Sequence, residues 1–418
     1  MMGCPSPPDP TPGSPGGQPN LKKPICSALG LLLSGCGGAE PPSASEVSSP
    51  EAVRYELVAE FGGGEPGPWF SRIFDGFYLD ERTLAVADGE ERVIWVLDVR
   101  TGTGERLGRE GEGPGEFRGI TRMGVGGDDA LWVTDRITGR VTYFSSGDPS
   151  VVSTVTLREY VFAPPVAPEG PVGVLGDGRY LFMPGRVERR SPSGPDRIPY
   201  PLLAMGADAS TIDTLVVAAP APPPVVLVPR PDGGFNGIVN FLEELPLLAL
   251  EPGGKRVGLL DRFGGTGPET MGVLHVAHLS EEGWKASRHP VPGPSIPGSR
   301  HEVEGRIRQL QIDWPGPQGE MVDAVLAQVE IPTWLSPITR YRIDGEGRHW
   351  IGVEPEFRGP RSWRRGDPEA RSWDRVEFDR PVEWPLDATG DYVSAVLTDA
   401  LEVQTVGLFR RSAVPARP

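Results

Sequence analysis

A weak repeat of strand-forming units constrains the fold of this chain more than any other feature. Each unit combines a turn containing Gly or Asp, a short strand with an aromatic residue or Leu, a loop and a second strand. The units begin at Leu84, Leu131, Tyr180, Trp350 and Val393. The first intervals are 47 and 49 residues, and this period together with strand-type units is typical of four-stranded propeller blades and disfavours solenoids of helix pairs. The sequence therefore predicts an all-β fold over residues 53–412.

The repeat is degraded between Tyr180 and Trp350, and one part of that region breaks the strand pattern. Apolar residues recur at helical spacing within 318–329, and the preceding segment 299–310 has a similar composition. We therefore expect a short helical insertion near 299–329. The candidate strands in the degraded region are 214–218, 224–229, 247–250, 256–260 and 271–278.

The N-terminal segment resembles a bacterial lipoprotein signal. Lys22 and Lys23 precede an apolar stretch, 25–33, and a small-residue site that ends at Cys36. The stretch is shorter than the roughly 20 residues that span a bilayer, so it predicts a cleaved signal over 1–35. Residues 1–20 contain no positive charge, which places the expected start near Leu21. Lipidation of Cys36 and a flexible tether over 36–52 follow from this interpretation.

Cysteine content and charge exclude several classes of function. The chain has three cysteines, Cys4, Cys26 and Cys36, and cleavage before Cys36 would leave no disulfide, catalytic thiol or cysteine zinc site in the mature body. The formal net charge of −16 repels nucleic acid, so we expect no nucleic-acid partner. The 56 Gly and 48 Pro residues are not a sign of disorder, because they punctuate short apolar runs.

The glycine-rich decapeptide 108–117 (GREGEGPGEF) identifies a family resemblance. Together with 130–144 (ALWVTDRITGRVTYF), 338–354 (ITRYRIDGEGRHWIGVE) and the terminal 390–411, it resembles bacterial six-bladed β-propeller proteins related to the NHL-repeat group. The resemblance covers roughly 54–412 and implies a closed disc of six blades. It also implies that a strand near 55–61 completes the last blade beside the C-terminal strands. Most members of this family have no known function.

Two local motifs favour structural roles. Asp88 and Asp135 each follow a valine by two residues and precede an Arg-Val pair, so we expect them to accept main-chain hydrogen bonds in turns rather than contact a ligand. The decapeptide lacks the Lys-Ser/Thr of a nucleotide loop, and its glutamates would repel phosphate. A tight connection between blades explains it better.

No catalytic or metal-binding constellation is visible in the sequence. His275 and His278 are three apart on a predicted strand and point to opposite faces, so they cannot chelate one metal. His349 beside Trp350 is expected to be a packed or hydrogen-bonded core residue. No nucleophile elbow or triad is present. The sequence predicts no catalytic residue, no metal ligand and no cofactor, although propeller enzymes gather their ligands from different blades.

The segment 357–385 is the first candidate for a binding surface. It contains three Trp and seven Arg, which could stack on a sugar or hold an acidic ligand. The candidate residues are Trp363, Arg364, Arg365 and Trp373. Six carboxylates nearly balance the arginines, so an amphipathic segment packed on the disc remains the alternative.

These observations favour a non-catalytic envelope lipoprotein whose propeller binds a protein, peptide or glycan. We expect it to be exported and anchored to the outer membrane, on its periplasmic or surface side, or to the plasma membrane. One alternative is a metal-dependent propeller hydrolase or lyase of the sugar-lactonase type. Another is an assembly scaffold whose partners depend on 357–385.

Lipid anchoring can be tested by the substitution Cys36→Ala. The variant has no thiol at the acylation site, so we expect the protein to leave the membrane fraction and become soluble after cell fractionation. A change of Cys26→Ala, within the predicted signal, serves as the control and should leave the fractionation unchanged. Membrane association that survives Cys36→Ala would contradict the assignment.

Overall fold

The protein is all-β in a computed structural model. The model describes residues 52–64, 68–126, 129–145, 151–157, 168–184, 198–206, 212–221, 225–229, 235–239, 246–262, 266–305, 331–355 and 361–412. Most of the expected signal and tether, including Cys36, lies outside these residues. No helix within the described ranges is long and apolar enough to cross a membrane.

The strands follow one another as short antiparallel meanders. The first is β1 (Val53–Phe61), and the next four are β2 (Ile73–Tyr78), β3 (Thr83–Asp88), β4 (Val93–Asp98) and β5 (Gly104–Leu107), which form sheet 1. The pair β6 (Arg109–Glu110) and β7 (Glu116–Phe117) precedes sheet 2, made of β8 (Ile120–Val125), β9 (Leu131–Asp135), β10 (Arg140–Phe144) and β11 (Val151–Thr156).

Sheets 3 and 4 repeat this meander. Sheet 3 contains β12 (Pro168–Val174), β13 (Tyr180–Pro184), β14 (Ile198–Met205) and β15 (Ile212–Ala221), and a separate hairpin follows, β16 (Val225–Pro229) with β17 (Phe235–Val239). Sheet 4 contains β18 (Leu247–Leu250), β19 (Arg256–Asp261), β20 (Thr270–Ser280) and β21 (Gly283–Pro292). The candidate strands predicted between 214 and 278 are confirmed within these elements.

The remaining strands join the chain ends in one eight-stranded sheet. After the pair β22 (Ile296–Pro297) and β23 (Trp334–Leu335), the strands are β24 (Ile338–Ile343), β25 (His349–Val353), β26 (Ser362–Asp367), β27 (Ser372–Phe378), β28 (Trp384–Thr389), β29 (Tyr392–Thr398) and β30 (Gln404–Arg411). The order is β24-β25-β26-β27-β1-β30-β29-β28. The sheet thus has two halves, β24–β27 and β28–β30 with β1.

The first strand joins these two halves. β1 pairs antiparallel with β30, from Tyr55 opposite Arg411 to Phe61 opposite Val406. It also pairs in parallel with β27, where Val53 lies opposite Val376. The predicted pairing of 55–61 with the C-terminal strands is therefore confirmed, and the two ends of the body are adjacent.

The sheets adopt a propeller-like arrangement in which the first strand of each meander lies innermost. β2 contacts β28 on one side and β8 on the other, β8 contacts β12, and β18 contacts β24. Hydrophobic clusters fill the spaces between successive sheets. For example, Leu84, Leu386 and Val406 pack between sheet 1 and the β28–β30 half, and Phe77, Met123 and Val133 pack between sheets 1 and 2. Both faces of each sheet are therefore largely buried, which favours apolar strands.

The two faces of the ring differ in the length of their connections. We call the face where the innermost strands begin the upper face, and the face where they end the lower face. Upper-face connections include 62–72, 108–119 and 293–337. Lower-face connections include 79–82, 251–255 and 344–348. Residues 300–305 within the longest connection are helical; the rest of the predicted insertion, 306–329, lies outside the described residues.

The recurring aspartates hold the upper-face turns. Asp88 is fully buried and accepts main-chain hydrogen bonds from Ser71, Arg72, Glu90 and Glu91. Asp135 accepts the equivalent bonds from Arg118, Ile137 and Thr138. Their predicted structural role is confirmed.

The decapeptide forms the connection between sheets 1 and 2. Its main-chain N–H at Gly113 donates to the Glu116 carboxylate at 2.7 Å, and Arg109 pairs with the same carboxylate at 2.7 Å. The N–H of Gly113 and the Arg109 guanidinium lower the pKa of Glu116. Because the Glu116 carboxylate already accepts the hydrogen bond of Gly113 N, this loop resembles a closed turn more than a phosphate-binding loop.

Packing between sheet 4 and the β24–β27 half can be tested at Gly258. A Cβ there would lie 1.7 Å from the Tyr341 hydroxyl, which is hydrogen-bonded to His349 Nδ1 at 2.7 Å. We expect Gly258→Ala to lower the free energy of unfolding by about 1–3 kcal/mol, measured by urea denaturation. Adding Tyr341→Phe should recover part of this loss. Gly253→Ala, where nothing lies within 4 Å, should have little effect, and equal losses at the two glycines would contradict this packing.

A polar hub at the inner edges of the sheets

Four innermost strands carry a charged residue directly after a β-bulge. The register shifts between Ile73 and Asp75 in β2, and between Ile120 and Arg122 in β8. The same shift precedes Arg340 in β24 and Asp387 in β28. A bulge re-aims the side chain that follows it. Strands that are otherwise apolar therefore present ionisable groups near the centre of the ring.

Asp75 links three parts of the ring. It is buried, and its Oδ2 accepts a hydrogen bond from Met123 N of sheet 2 at 3.3 Å. Its Oδ1 lies 2.7 Å from Nη1 of Arg342 on β24. Arg342 also donates to the Gly76 carbonyl. Because the β28–β30 half lies between β24 and sheet 1 in the ring, this ion pair bridges sheets that are not neighbours.

Arg122 makes a second bridge of this kind. Its Nη2 donates to the Leu248 carbonyl of sheet 4 at 2.8 Å, with sheet 3 between the two in sequence. Burial lowers the pKa of Arg122, the charge of Asp75 raises it, and the charge of Arg342 lowers it. Within the described ranges no carboxylate lies at salt-bridge distance from Arg122.

Asp387 lies on the lower side of this group of residues. We call the group of Asp75, Arg122, Arg342 and Asp387 the hub. Its Oδ1 accepts hydrogen bonds from Gly345 N at 2.6 Å and Ala388 N at 2.8 Å, and its Oδ2 accepts one from Tyr78 N at 2.8 Å. Burial raises the pKa of Asp387 to about 7, although these N–H groups and the charge of Arg342 oppose the rise. Burial thus favours the neutral form of this carboxyl, which weakens it as a counter-ion for the arginines.

The hub therefore carries two guanidinium groups and two carboxyl groups, and burial raises the pKa of one of these, Asp387. Asp75 and Arg342 neutralise each other, which leaves the positive charge of Arg122. Such a set suits an oxyanion better than a divalent cation, which needs several carboxylate or carbonyl oxygens. No group of three or more His, Cys, Asp or Glu residues in the described part of the chain is placed to hold a metal.

The four residues predicted from segment 357–385 lie on the adjacent strands β26 and β27 and are divided between the two faces of this sheet. Trp363 and Arg365 are buried against the β28–β30 half. Arg365 pairs with Asp344 at 3.0 Å and Glu346 at 2.7 Å, and it stacks over Trp350 at 5.2 Å. Both side chains thus have partners inside the protein.

The other two predicted residues lie on the opposite face of the same half. Arg364 is half-buried and donates to the Pro292 carbonyl of sheet 4 at 2.8 Å, and Trp373 packs against the cluster between those sheets. The structure does not bring the four onto one surface, and a ligand role for them stays a prediction. The prediction for His349 as a core residue is confirmed, since it is buried and bonded to Tyr341.

The hub residues were not predicted from the sequence. Each contributing strand supplies one or two charged residues, and the partners are far apart in the chain. One signal could have found two of them. Ile is followed two residues later by a charged side chain in Ile73-Phe-Asp75 and Ile120-Thr-Arg122.

The raised pKa of Asp387 predicts a pH-dependent stability. Its folded pKa of about 7 exceeds the ordinary value of 3.8 for an aspartate, so the native state holds an extra proton between these values. The contribution of this carboxyl therefore falls as pH rises from about 4 to about 7, and each unit of pKa difference corresponds to about 1.4 kcal/mol. Urea unfolding should show that Asp387→Asn removes this component.

Asp98 provides the matched control. It is exposed, and main-chain N–H groups and Arg82 lower its pKa. The stability contributed by a group with a lowered pKa is lost only at acidic pH, so Asp98→Asn should not alter the slope between about pH 5 and pH 7. If the free energies of unfolding of wild type and Asp387→Asn differ by the same amount at every pH in this window, Asp387 is not the source of the pH dependence.

No family model and no curated protein matches the chain. Several solved β-propeller structures resemble it over most of its length. A protein from Bacteroides fragilis NCTC 9343 described as exported has 12% identity and a TM-score of 0.44, covering 86% of this chain and 99% of its own. Virginiamycin B lyase from Staphylococcus aureus has 9% identity and a TM-score of 0.37, with coverages of 85% and 99%. Calcium-binding regucalcin from Agrobacterium tumefaciens has 12% identity and a TM-score of 0.36, with coverages of 86% and 96%. Likeness at this level assigns neither a ligand nor an activity.

Proposed function

We propose that this protein is a lipid-anchored, six-bladed β-propeller of the bacterial cell envelope that binds a protein, peptide or glycan without catalysing a reaction. Sheets 1 to 4 account for four of the blades. The two halves of the eight-stranded sheet, each with four strands, account for the other two. The order of lysines, apolar stretch and Cys36 supports export and anchoring.

The upper face is the proposed binding surface, because large apolar side chains are exposed on it. Trp69 in the connection 62–72 is 57% exposed, and Phe74 at the bulge of β2 is 47% exposed. Ile137 in the turn between β9 and β10 is 47% exposed, and Leu401 between β29 and β30 is 83% exposed. Aromatic and aliphatic side chains of this kind anchor protein interfaces. This concentration on one face is the observation that carries the proposal.

The turns that hold these side chains are well ordered by hydrogen bonds. Phe70, next to Trp69, forms a bridge with Gln404, whose side chain accepts a hydrogen bond from Ile73 N at 2.6 Å. The turn of Ile137 is held by Asp135. Exposed apolar residues on a fixed backbone lose little conformational entropy on binding, which favours recognition.

The hub supports a binding role over hydrolysis by a central metal. Arg122 and Arg342 reach across between non-adjacent sheets and place positive charge where a propeller hydrolase would hold a cation. A guanidinium group repels a divalent ion and supplies no ligand to it. No observation on the described residues favours the metal-dependent alternative.

The binding proposal can be tested by a triple change of Trp69, Phe74 and Ile137 to Ser. We expect the wild type, cross-linked in intact envelopes of its source bacterium, to retain a defined set of components that the triple variant loses. The matched control is Ile212→Ser with Tyr392→Ser, because both residues are exposed at the lower face. This control should retain the same components.

Two outcomes would contradict the proposal. Equal retention by the upper-face and lower-face variants would show that the exposed residues do not form the binding surface. Absence of any component specific to the wild type would count against a binding function. Circular dichroism of all three proteins checks that the substitutions leave the sheets intact.

A further inference from the structure

The hub contains positive charge and N–H donors that the described part of the chain does not satisfy. Arg122 uses one nitrogen, Nη2, for the Leu248 carbonyl, and its other guanidinium nitrogens have no partner among the described residues. The Nε of Arg342 is buried and also lacks one within those ranges. An unpaired buried donor or charge is costly unless something occupies it.

The neighbouring carboxylates do not supply the missing counter-charge. Asp75 is engaged by Arg342 and by the N–H groups of Gly76 and Met123. Asp387 has both oxygens occupied by main-chain donors, and burial raises its pKa to about 7. Among the described residues the hub therefore has a net positive charge, centred on Arg122.

The position is accessible to a small solute. Arg122 and Arg342 are half-buried rather than enclosed, with 21% of the Arg342 side chain exposed. Both lie on innermost strands, β8 and β24. The planar fork of guanidinium donors matches an oxyanion, which can accept two parallel N–H bonds.

We propose that the hub is a binding site for a compact oxyanion, a carboxylate or a phosphate group, held by the guanidinium group of Arg122 next to the ion pair of Asp75 and Arg342. The ligand is either a free small anion or the anionic group of a larger molecule bound at the ring. The site goes beyond the proposed binding of a partner by the upper face, since it rests on different residues and on charge rather than apolar contact.

The first test uses thermal denaturation of the purified domain in acetate, inorganic phosphate and acetamide at constant ionic strength. A ligand that binds only the native state raises Tm in a saturable way, by about 2 °C at roughly ten times Kd for a chain of this size. We expect saturable stabilisation by acetate or phosphate at millimolar concentration. Acetamide, the neutral isostere of acetate, should give none. The stronger of the two anions identifies the chemical class.

The second test compares Arg122→Gln with a matched control, Arg256→Gln. Arg256 also donates to a main-chain carbonyl of another sheet, that of Gly347, at 2.7 Å, but it lies outside the hub. We expect Arg122→Gln to lose the anion-dependent rise in Tm and Arg256→Gln to keep it. The upper-face triple variant should also keep it, which separates this site from the partner-binding surface.

Three results would overturn the proposal: no saturable rise with either anion, an equal rise with acetamide, or an equal rise in Arg122→Gln. If Arg122→Gln does not fold, the comparison of acetate with acetamide on the wild type decides the matter. Calorimetric titration of the wild type with both probes gives the same decision without heating the protein.

Discussion

The structure depends on the pairing of the first strand with two strands from the far end of the chain. β1 lies between β30 and β27, and its main chain is bonded to both. The Asp379 carboxylate accepts the N–H of Leu57, and the N–H of Asp379 donates to the Tyr55 carbonyl. Closure of this kind leaves no long exposed edge on the last sheet and requires no disulfide. The cost is that the most distant contacts must form before the ring is complete, which slows folding.

Closing the ring also determines which polar side chains are paired inside the protein and which lie where a ligand could contact them. Because both faces of a sheet pack against neighbouring sheets, polar residues in the middle of a strand are either paired internally or placed at the inner edge. Arg365 is an example of the first case, since it is enclosed by Asp344, Glu346 and Trp350. Arg122 is an example of the second, since the bulge in β8 re-aims it. The two proposed recognition sites therefore differ in character, one being a charged centre and the other an apolar upper rim.

Local patterns in the sequence predicted the strand units and the roles of Asp88 and Asp135, because each depends on neighbouring residues, whereas the closing strand was implied by the family resemblance. The hub could not be predicted in this way, because Asp75 and Arg342 are 267 residues apart and only the ring brings them together. The segment with Trp363 and Arg364 was visible as a pattern in the sequence, but the pattern did not show whether its residues face solvent or pack between sheets. Alternating polar and apolar residues usually indicate one exposed face, but here both faces of β26 meet another sheet. An Arg and Trp pattern of this kind is therefore explained by packing between sheets as well as by a binding surface.

The position where the chain enters the ring has a mechanical consequence. Any pull on the segment before Val53 is transmitted into the first residues of β1, which are bonded to β27 on one side and to β30 on the other. Force directed along the strand loads both rows of hydrogen bonds together in shear, whereas force across it would open them one at a time. The same strand that completes the ring therefore also resists unfolding of the body by a force applied to the residues that precede it.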